Sequence, residues 1–339
     1  MITLTPCNSS WPQLFTAEKI KLESLFSDIA IWIEHIGSTA IPDIYAKPVI
    51  DILIGVNSLK NFTQEHVRRI ESLGYQYISE FEATLPHRRY FLKNDVSGNR
   101  THHIHLVHYP SAWWEKHILF RDYLRAHSKQ AKSYEEHKLL LAQQFDSTLE
   151  YANAKTEFCH GIDKLAFYSD INRLFLQTAR FNAYIPQLAC LADYTAMMEN
   201  SEFILCYGVA FNKEQIRERL VSDINHWDQH GFGPWMWYDK LNNDYVGRAG
   251  IKTYKEDVEL TYAMRPEYWG KGVAQEMSLA AIDYAFKVVK DNLVCFTHEE
   301  NHQSLRVMEK LGFHYEGDFI HADLLHKLHR LVKPTATKT

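Results

Sequence analysis

Apolar positions in this chain switch between helical and strand spacing, and each switch marks an element. From Pro12 to Phe26 the spacing predicts a helix with Leu14, Ile20, Leu22 and Phe26 turned inward. Ile31–Ile36 reads as a strand, and Pro48–Val56 is an apolar run of buried-strand length. Phe62–Leu73 is amphipathic at helical spacing, whereas Arg88–Lys93 and His103–Val107 alternate as strands do. Helices are predicted over Trp113–His127 and Tyr134–Lys164. The second belongs to a stretch from Ser128 rich in Lys, Glu, Gln and Leu, with no Gly or Pro before Gly161.

The pattern breaks at Phe167–Asn172 and restarts over Leu174–Tyr184. A boundary near 168–172 is therefore expected, giving domains 1–168 and 172–332 and a polar, frayed tail over 333–339. The second half reads as strand Ala179–Tyr184, helices Leu188–Met198 and Lys213–Gln229, and strands Pro234–Asp239, Tyr245–Lys252 and Val258–Met264. Helix Gly272–Val289, with Met277, Ala281, Tyr284 and Val288 on one face, precedes strand Leu293–Thr297. Helix Gln303–Leu311 and strands Phe313–Phe319 and Asp323–Leu331 complete the reading. This interleaving predicts an α+β chain whose second half is a mixed, mostly antiparallel sheet flanked by helices.

Composition narrows the class. A chain of 339 residues is long enough for two cores, and 46% hydrophobic with 13% aromatic residues excludes a disordered or fibrous protein. No apolar run reaches membrane-span length, and Met1–Trp11 lacks the pattern of a signal peptide. Five scattered cysteines without a C-x-x-C predict reduced thiols and a cytoplasmic location. The net charge of −5 gives no basic field, which argues against a nucleic-acid partner. Nineteen histidines are many; most read as surface residues and a few as ligands or acid–base groups.

The segment Arg265-Pro-Glu-Tyr-Trp-Gly-Lys-Gly-Val-Ala-Gln-Glu joins a predicted strand to a predicted helix. Glycines at 270 and 272, with the small Ala274, let a ligand approach the backbone. The first amides of the helix are unpaired, and with the helix dipole they favour a pyrophosphate. A helix-capping turn gives the same string. Further on comes Asn301-His-Gln-Ser-Leu-Arg-Val-Met-Glu-Lys-Leu-Gly-Phe, where Asn301 suits a cap or a ligand hydrogen bond and Ser304 lies one turn into the helix.

With Gly231-Phe-Gly-Pro-Trp, Gly247-Arg-Ala-Gly and Glu259-Leu-Thr-Tyr, these segments make residues 174–331 resemble the GNAT acetyltransferase superfamily, most of all its ribosomal-protein N-acetyltransferase-like branch. The resemblance implies acetyl-CoA as cofactor, with its pyrophosphate on Trp269, Gly270, Lys271, Gly272, Val273 and Ala274. It also places Asn301 and Ser304 on the cofactor side, and the acetyl carbonyl on backbone N–H groups near Ala263 and Met264. An amine must be neutral to attack a thioester, so Glu259 on the preceding strand is the candidate base; a surface glutamate is the alternative. Many members of the superfamily carry a Tyr seven residues after the Asn, where this chain has Met308. That leaves Ser304, or solvent, to protonate the thiolate, with His230, His298 and His302 as further candidates. Trp227, Trp235, Trp237 and Tyr238 either wall the acceptor site or fill the core.

In the first half, His35-Ile-Gly-Ser-Thr-Ala-Ile-Pro precedes Ala46-Lys-Pro-Val-Ile-Asp-Ile-Leu-Ile. Gly37 and Ser38 at a strand-to-helix turn suit a phosphate, and Asp51 on a buried strand suits Mg²⁺. With Arg88-Arg-Tyr-Phe-Leu-Lys, Arg100-Thr-His-His-Ile-His-Leu-Val, Phe120-Arg-Asp-Tyr-Leu-Arg-Ala-His and Tyr151-Ala-Asn-Ala-Lys, residues 1–167 resemble the GrpB-like family of the nucleotidyltransferase superfamily. The resemblance implies a nucleotidyltransferase-like mixed sheet with helices. Working members usually pair two carboxylates two residues apart, with a third on a later strand, to hold two metals. Here Leu53 stands two residues after Asp51, where the second carboxylate would be, and the later strand offers His103 and His105. The two histidines share a strand face and, with Asp51, form a candidate site for a divalent metal. Together with Gly37, Ser38, Lys47, Arg88, Arg89, Arg121 and Lys155 they equally form an anion pocket, and a structural remnant is the third reading.

The expectation is thus a two-domain fusion. Its C-terminal domain acetylates a small-molecule or peptide amine by direct attack, since no cysteine is placed as an acyl carrier. Its N-terminal domain binds a nucleotide or another phosphorylated ligand, with nucleotidyl transfer left open. The alternative is a non-catalytic sensor that uses both pockets for binding only.

Overall fold

The structure is a computed structural model that describes residues 2–29, 31–169, 176–289, 292–321 and 323–333. The chain divides into one unit of residues 1–171 with 227–231 and a second of residues 172–226 with 232–339. The join expected at 168–172 and the frayed tail expected over 333–339 lie almost wholly outside the described residues. The fold class is α+β, with a mixed sheet in each unit.

The first unit begins with α1 (Trp11–Ser24), β1 (Ile31–Ile36), β2 (Ile50–Val56), α2 (Gln64–Glu71) and β3 (Gln76–Tyr77). It continues with β4 (Arg88–Asn94), β5 (Arg100–His108) and α3 (Ala112–Ala126), then α4 (Ser128–Gln144), α5 (Thr148–Ala154) and α6 (Thr156–Ser169). The sheet order is β1-β2-β5-β4-β3, and only β2 and β5 run parallel. Alternation gives this sheet two apolar faces. Ile33, Ile52, Ile54, Phe91, Ile104 and Leu106 pack with Trp11, Leu22 and Val67 on one side. Ile36, Leu53 and Val107 pack beneath Trp114 and Ile118 of α3 on the other.

Two expectations fail here for local reasons. The buried residues of α1 are Trp11, Glu18 and Leu22, so Leu14 (48% exposed) and Ile20 (62%) lie off the inward stripe. The single helix expected over Tyr134–Lys164 is three helices. Phe145 turns extended and packs with the cluster of Ile2, Leu141 and Tyr151, and the Ser147 hydroxyl then caps α5 by accepting from Glu150 N. A run of good helix formers did not reveal a break made by packing and a cap.

The second unit holds β6 (Leu176–Gln177), β7 (Phe181–Tyr184), α7 (Leu191–Met198), α8 (Ser201–Tyr207) and all but residues 227–230 of α9 (Lys213–His230). Then come β8 (Pro234–Asp239), β9 (Tyr245–Tyr254), β10 (Asp257–Met264), α10 (Val273–Val288), β11 (Leu293–His298), α11 (His302–Lys310), β12 (His314–His321) and β13 (Leu324–Leu331). Helix α8 was not anticipated; Asn200 caps it, accepting from Glu202 N and Phe203 N. The sheet order is β12-β13-β11-β10-β9-β8-β7-β6. Every pairing is antiparallel except β10 with β11, which α10 connects as a crossover. Helix α10 buries Val273, Met277, Ala281, Ile282 and Ala285. Tyr284 meets Trp235 edge-on at 4.9 Å, but Val288 is 46% exposed, past the end of the inward stripe.

Candidate functional site

The second unit has a cleft because two parallel strands separate. β10 and β11 pair only at Val258↔Leu293 and Glu259↔Val294 and then part, although both continue for several residues. Successive strand amides point to opposite edges. Arg265 N donates to Val246 O of β9 (2.9 Å), and the tight fit of Gly247 against Ala263 O puts that carbonyl on the same edge. Alternation then turns the N–H groups of Tyr262 and Met264 toward the parted side. Ala263 was expected, with Met264, to offer its amide to an acyl group; the Ala263 amide faces β9 instead, and the Met264 amide faces the parted side.

The parted strand runs directly into the glycine loop. Trp269 Nε1 donates to Met264 O (2.9 Å), so this indole ties the loop to the strand end. Gly270 (φ +70°) and Gly272 (φ +71°) are left-handed, and an added Cβ at either would meet nothing within 4 Å. The loop is therefore open where a ligand would approach it. No side chain caps α10, whose first intrahelical bond is Glu276 N to Gly272 O (3.1 Å). The amides of Val273, Ala274 and Gln275 precede that bond and form an anion-binding end. Arg180 adds a cation there: it donates to Lys271 O (3.2 Å) and to the Glu276 carboxylate (2.6 Å).

Asn301 caps α11, its Oδ1 accepting from Ser304 N (3.0 Å). Ser304 Oγ lies 2.7 Å from Tyr262 Oη, and Tyr262 Oη also lies 3.2 Å from Ser304 O. Burial raises the Tyr262 phenol well above its ordinary range, so it keeps its proton. Sequence reasoning missed Tyr262, although it stands in the quoted Glu259-Leu-Thr-Tyr segment. Strand parity places it opposite Glu259, on the side facing α11. Met308 is fully buried and supplies no hydroxyl. Cys295, beside Tyr262, is buried with its thiol raised well above the ordinary range, which keeps it protonated.

Glu259 is half-buried on the opposite face. Burial pushes its carboxyl up to about 7, partly offset by Arg248 and Lys252 and reinforced by Asp223. Arg248 and Lys252 are themselves tied to Asp223, which is 2% exposed: Arg248 Nη2 reaches Oδ1 at 2.8 Å and Lys252 Nζ at 3.3 Å. Arg248 Nη1 also donates to Thr261 Oγ1 (2.9 Å). Trp227, Trp235, Trp237 and Tyr238 are all buried and serve the core. His298 packs against His326 on the sheet, and His302 is exposed at the start of α11.

In the first unit the parallel pairing of β2 with β5 sets Asp51 beside His103 and Leu53 beside His105. Asp51 Oδ1 lies 2.9 Å from His103 Nδ1 and 3.8 Å from His105 Nε2. Burial opposes ionisation of Asp51, but the N–H groups of the two histidines outweigh it and hold the carboxyl well below its usual range. Gly37 (φ +71°) packs onto this carboxylate, where a Cβ would come within 2.2 Å of Oδ2. That glycine thus makes room for Asp51 rather than for a phosphate. Ser38 Oγ is 3.3 Å from Tyr134 Oη. Arg88 Nη1 is 3.2 Å from His105 Nδ1, and Arg100 Nη1 is 3.3 Å from His103 Nε2. Lys47 and Lys155 both rest on the Tyr151 ring, at 4.7 and 4.5 Å from its centroid.

Two expected pocket residues lie elsewhere. Arg89 follows Arg88 on β4, so it faces the other way and pairs with Glu82 (3.0 Å). Arg121 is buried on Glu34 and Asp122, both at 2.6 Å, and donates to His35 O. His35, stacked on Phe15, is pressed down to about 4 by burial and is a neutral core residue.

The donor set is a poor fit for the divalent metal that the histidine spacing suggested. The three ligand atoms do gather within 4.8 Å of one another. Yet a metal needs lone pairs on His103 Nδ1 and His105 Nε2, which moves each ring proton to the far nitrogen. Both far nitrogens face guanidinium donors. Metal-bound histidines instead donate from that nitrogen to an acceptor.

A parted parallel pair leading into an uncapped, glycine-flanked helix defines the second unit as an acyltransferase fold. Residues 170–314 match the acetyltransferase (GNAT) domain family, and residues 1–164 match the GrpB protein family. The chain belongs to the GrpB family through its first half and carries a GNAT acetyltransferase domain in its second. It is 37% identical over 160 residues to the glutamate-rich protein GrpB of Alkalihalophilus pseudofirmus, covering 46% of this chain and 91% of that one. The crystal structure of GrpB from Enterococcus faecalis is similar at 32% identity and a TM-score of 0.45, over 49% of this chain and 98% of that one. A GNAT-family acetyltransferase from Bordetella pertussis is similar at 21% identity and a TM-score of 0.41, over 46% and 97%. No helix among the described residues is long and apolar enough to cross a membrane.

Proposed function

We propose that the second unit transfers an acetyl group from acetyl-CoA to an amine by direct attack, and that the first unit binds a phosphorylated ligand. The observation that carries the first part is the parting of β10 from β11 just ahead of the open glycine loop. Bound acetyl-CoA supplies an activated thioester. The amides of 270–275 would hold its pyrophosphate, and Met264 N–H its acyl oxygen. Glu259, close to half-ionised at neutral pH, takes the proton that the attacking amine loses. Ser304, hydrogen-bonded to the protonated Tyr262, gives a proton to the departing sulfur. Protonated, buried Cys295 is unsuited to carry the acyl group, which favours a ternary complex over a covalent intermediate.

The acceptor is a small-molecule or peptide amine in this reading. Nucleotidyl transfer is not part of it, because buried Leu53 stands where a second carboxylate would be. Calorimetry with acetyl-CoA tests the cofactor site. We expect one-to-one binding that Gly272→Leu abolishes, since a side chain there fills the loop and strains a left-handed residue. Acetyl-CoA that does not bind the parent, or binds the variant unchanged, removes the assignment. CoA release over small amines, peptides and aminoglycosides then finds the acceptor.

A further inference from the structure

Two ammonium groups in the first unit share a surface and lack a counter-ion. Lys47 and Lys155 stand over the same Tyr151 ring. Among the described residues neither has a carboxylate at ion-pair distance. Each lysine is lowered from its ordinary value, chiefly by burial, and Lys47 also by repulsion from Lys155. Among the described residues, Asp51 acts on both through its charge. Arg88 lies on the same sheet face as His105; among the described residues its buried Nε has no hydrogen-bond partner, and its guanidinium lies 3.2 Å from that imidazole.

The polarity of this region excludes a cation on two independent grounds. Lys47 and Lys155 act on the Asp51 charge, and Arg88 and Arg100 contact the two histidines beside it, so a divalent ion would enter a repulsive field. The guanidinium groups of Arg88 and Arg100 meanwhile fix each histidine as the tautomer that donates toward Asp51. The same donors suit an anion: two ammonium groups and a guanidinium with a free N–H are what a phosphoryl group requires.

We propose that the pocket bounded by Lys47, Lys155, Arg88 and the Asp51–His103–His105 cluster binds a phosphoryl dianion without a metal. The inference rests on the phosphorylated-ligand reading above and goes further by removing the divalent ion. Asp51 then orients the two imidazoles, at 2.9 Å from His103 Nδ1 and 3.8 Å from His105 Nε2, and the lysines neutralise the ligand.

The experiment is calorimetry on the full chain with inorganic phosphate, pyrophosphate and ATP, each in EDTA and again with Mg²⁺, Mn²⁺ or Zn²⁺. We expect at least one of the three to bind in EDTA, at least tenfold more weakly in Lys47→Met and Lys155→Met and nearly normally in Lys47→Arg and Lys155→Arg. Preference for ATP over phosphate identifies a nucleotide; equal affinity identifies a free phosphoryl group. Nitrogen-15 NMR should place the ring protons on His103 Nδ1 and His105 Nε2. Anion binding only with a divalent ion, or stoichiometric metal binding lost in His103→Ala, overturns the metal-free site and leaves the phosphorylated-ligand reading in place. Unchanged affinity in both methionine variants, with melting temperatures matching the parent, overturns the placement. No binding of any probe under any condition overturns both.

Discussion

Glu259 shows how one residue type changes its chemistry with its surroundings. A carboxyl in water is ionised from about pH 4 upward, whereas here burial holds it up to about 7. Its base form therefore grows in as pH rises through about 7. The parent's kcat/KM should climb across that range, and Glu259→Gln should lower it by about 10²-fold or more and flatten the climb. An unchanged profile in the variant assigns the inflection to another group. Linkage gives a second readout. Between the ordinary carboxyl value and about 7 the folded state binds the extra proton, so the glutamate costs stability progressively as pH rises. The variant, which mimics the protonated form, should gain on the parent across the same window in urea titrations. The sequence offered Glu259 through its place before the glycine loop. It did not offer Tyr262, whose role depends on α11 bringing Ser304 within 2.7 Å.

At the scale of elements, the cleft depends on how tightly β9 holds β10. Gly247 lies so close that a Cβ would stand 2.4 Å from Ala263 O and 2.6 Å from the Met264 Cα. Both contacts are with backbone that cannot swing aside. Gly247→Ala should push β10 toward β11, at a cost of about 1–3 kcal/mol as an overpacked site. Acetyl-CoA affinity should fall with it, because the Met264 amide moves. A variant with parent stability and parent affinity shows that the strand accommodates the methyl. Strands were the most legible elements: β1 and β8 coincide with their expected spans, and period-2 alternation correctly put His103 and His105 on one face. Helix lengths were less legible. The break at Phe145 comes from packing against Tyr151 and against Ile2, which is remote from any helix signal in that stretch.

At the scale of the whole molecule, each unit supplies all the residues of its own candidate site. Acetyl-CoA should accordingly slow amide hydrogen exchange at 270–275 and 301–304 and leave the β2 and β5 amides of the first unit unchanged. Protection spreading to Asp51 and His103 shows instead that the sites are coupled. The charge balance also has to be read at this scale. The chain carries a net charge of −5, yet Lys47 and Lys155 act on the Asp51 charge and Arg88 and Arg100 contact the histidines beside it. No average over composition reveals that excess.

The sequence by itself determined the α+β class, both family resemblances, the glycine loop and the shared face of His103 and His105. Each depends on local order along the chain: period, spacing and the identity of small residues. Only the tertiary structure decided which cations belong to which pocket. Arg88 and Arg89 are neighbours in sequence and face opposite sides of a sheet, whereas Arg121 finds its partner in Glu34 on another element. Charge acts through space and screening rather than along the chain, so a list of basic residues could not separate a ligand-facing lysine from a buried structural arginine. The proton positions on His103 and His105 were set in the same way, by guanidinium groups from β4 and β5 that only the folded sheet brings to their far nitrogens.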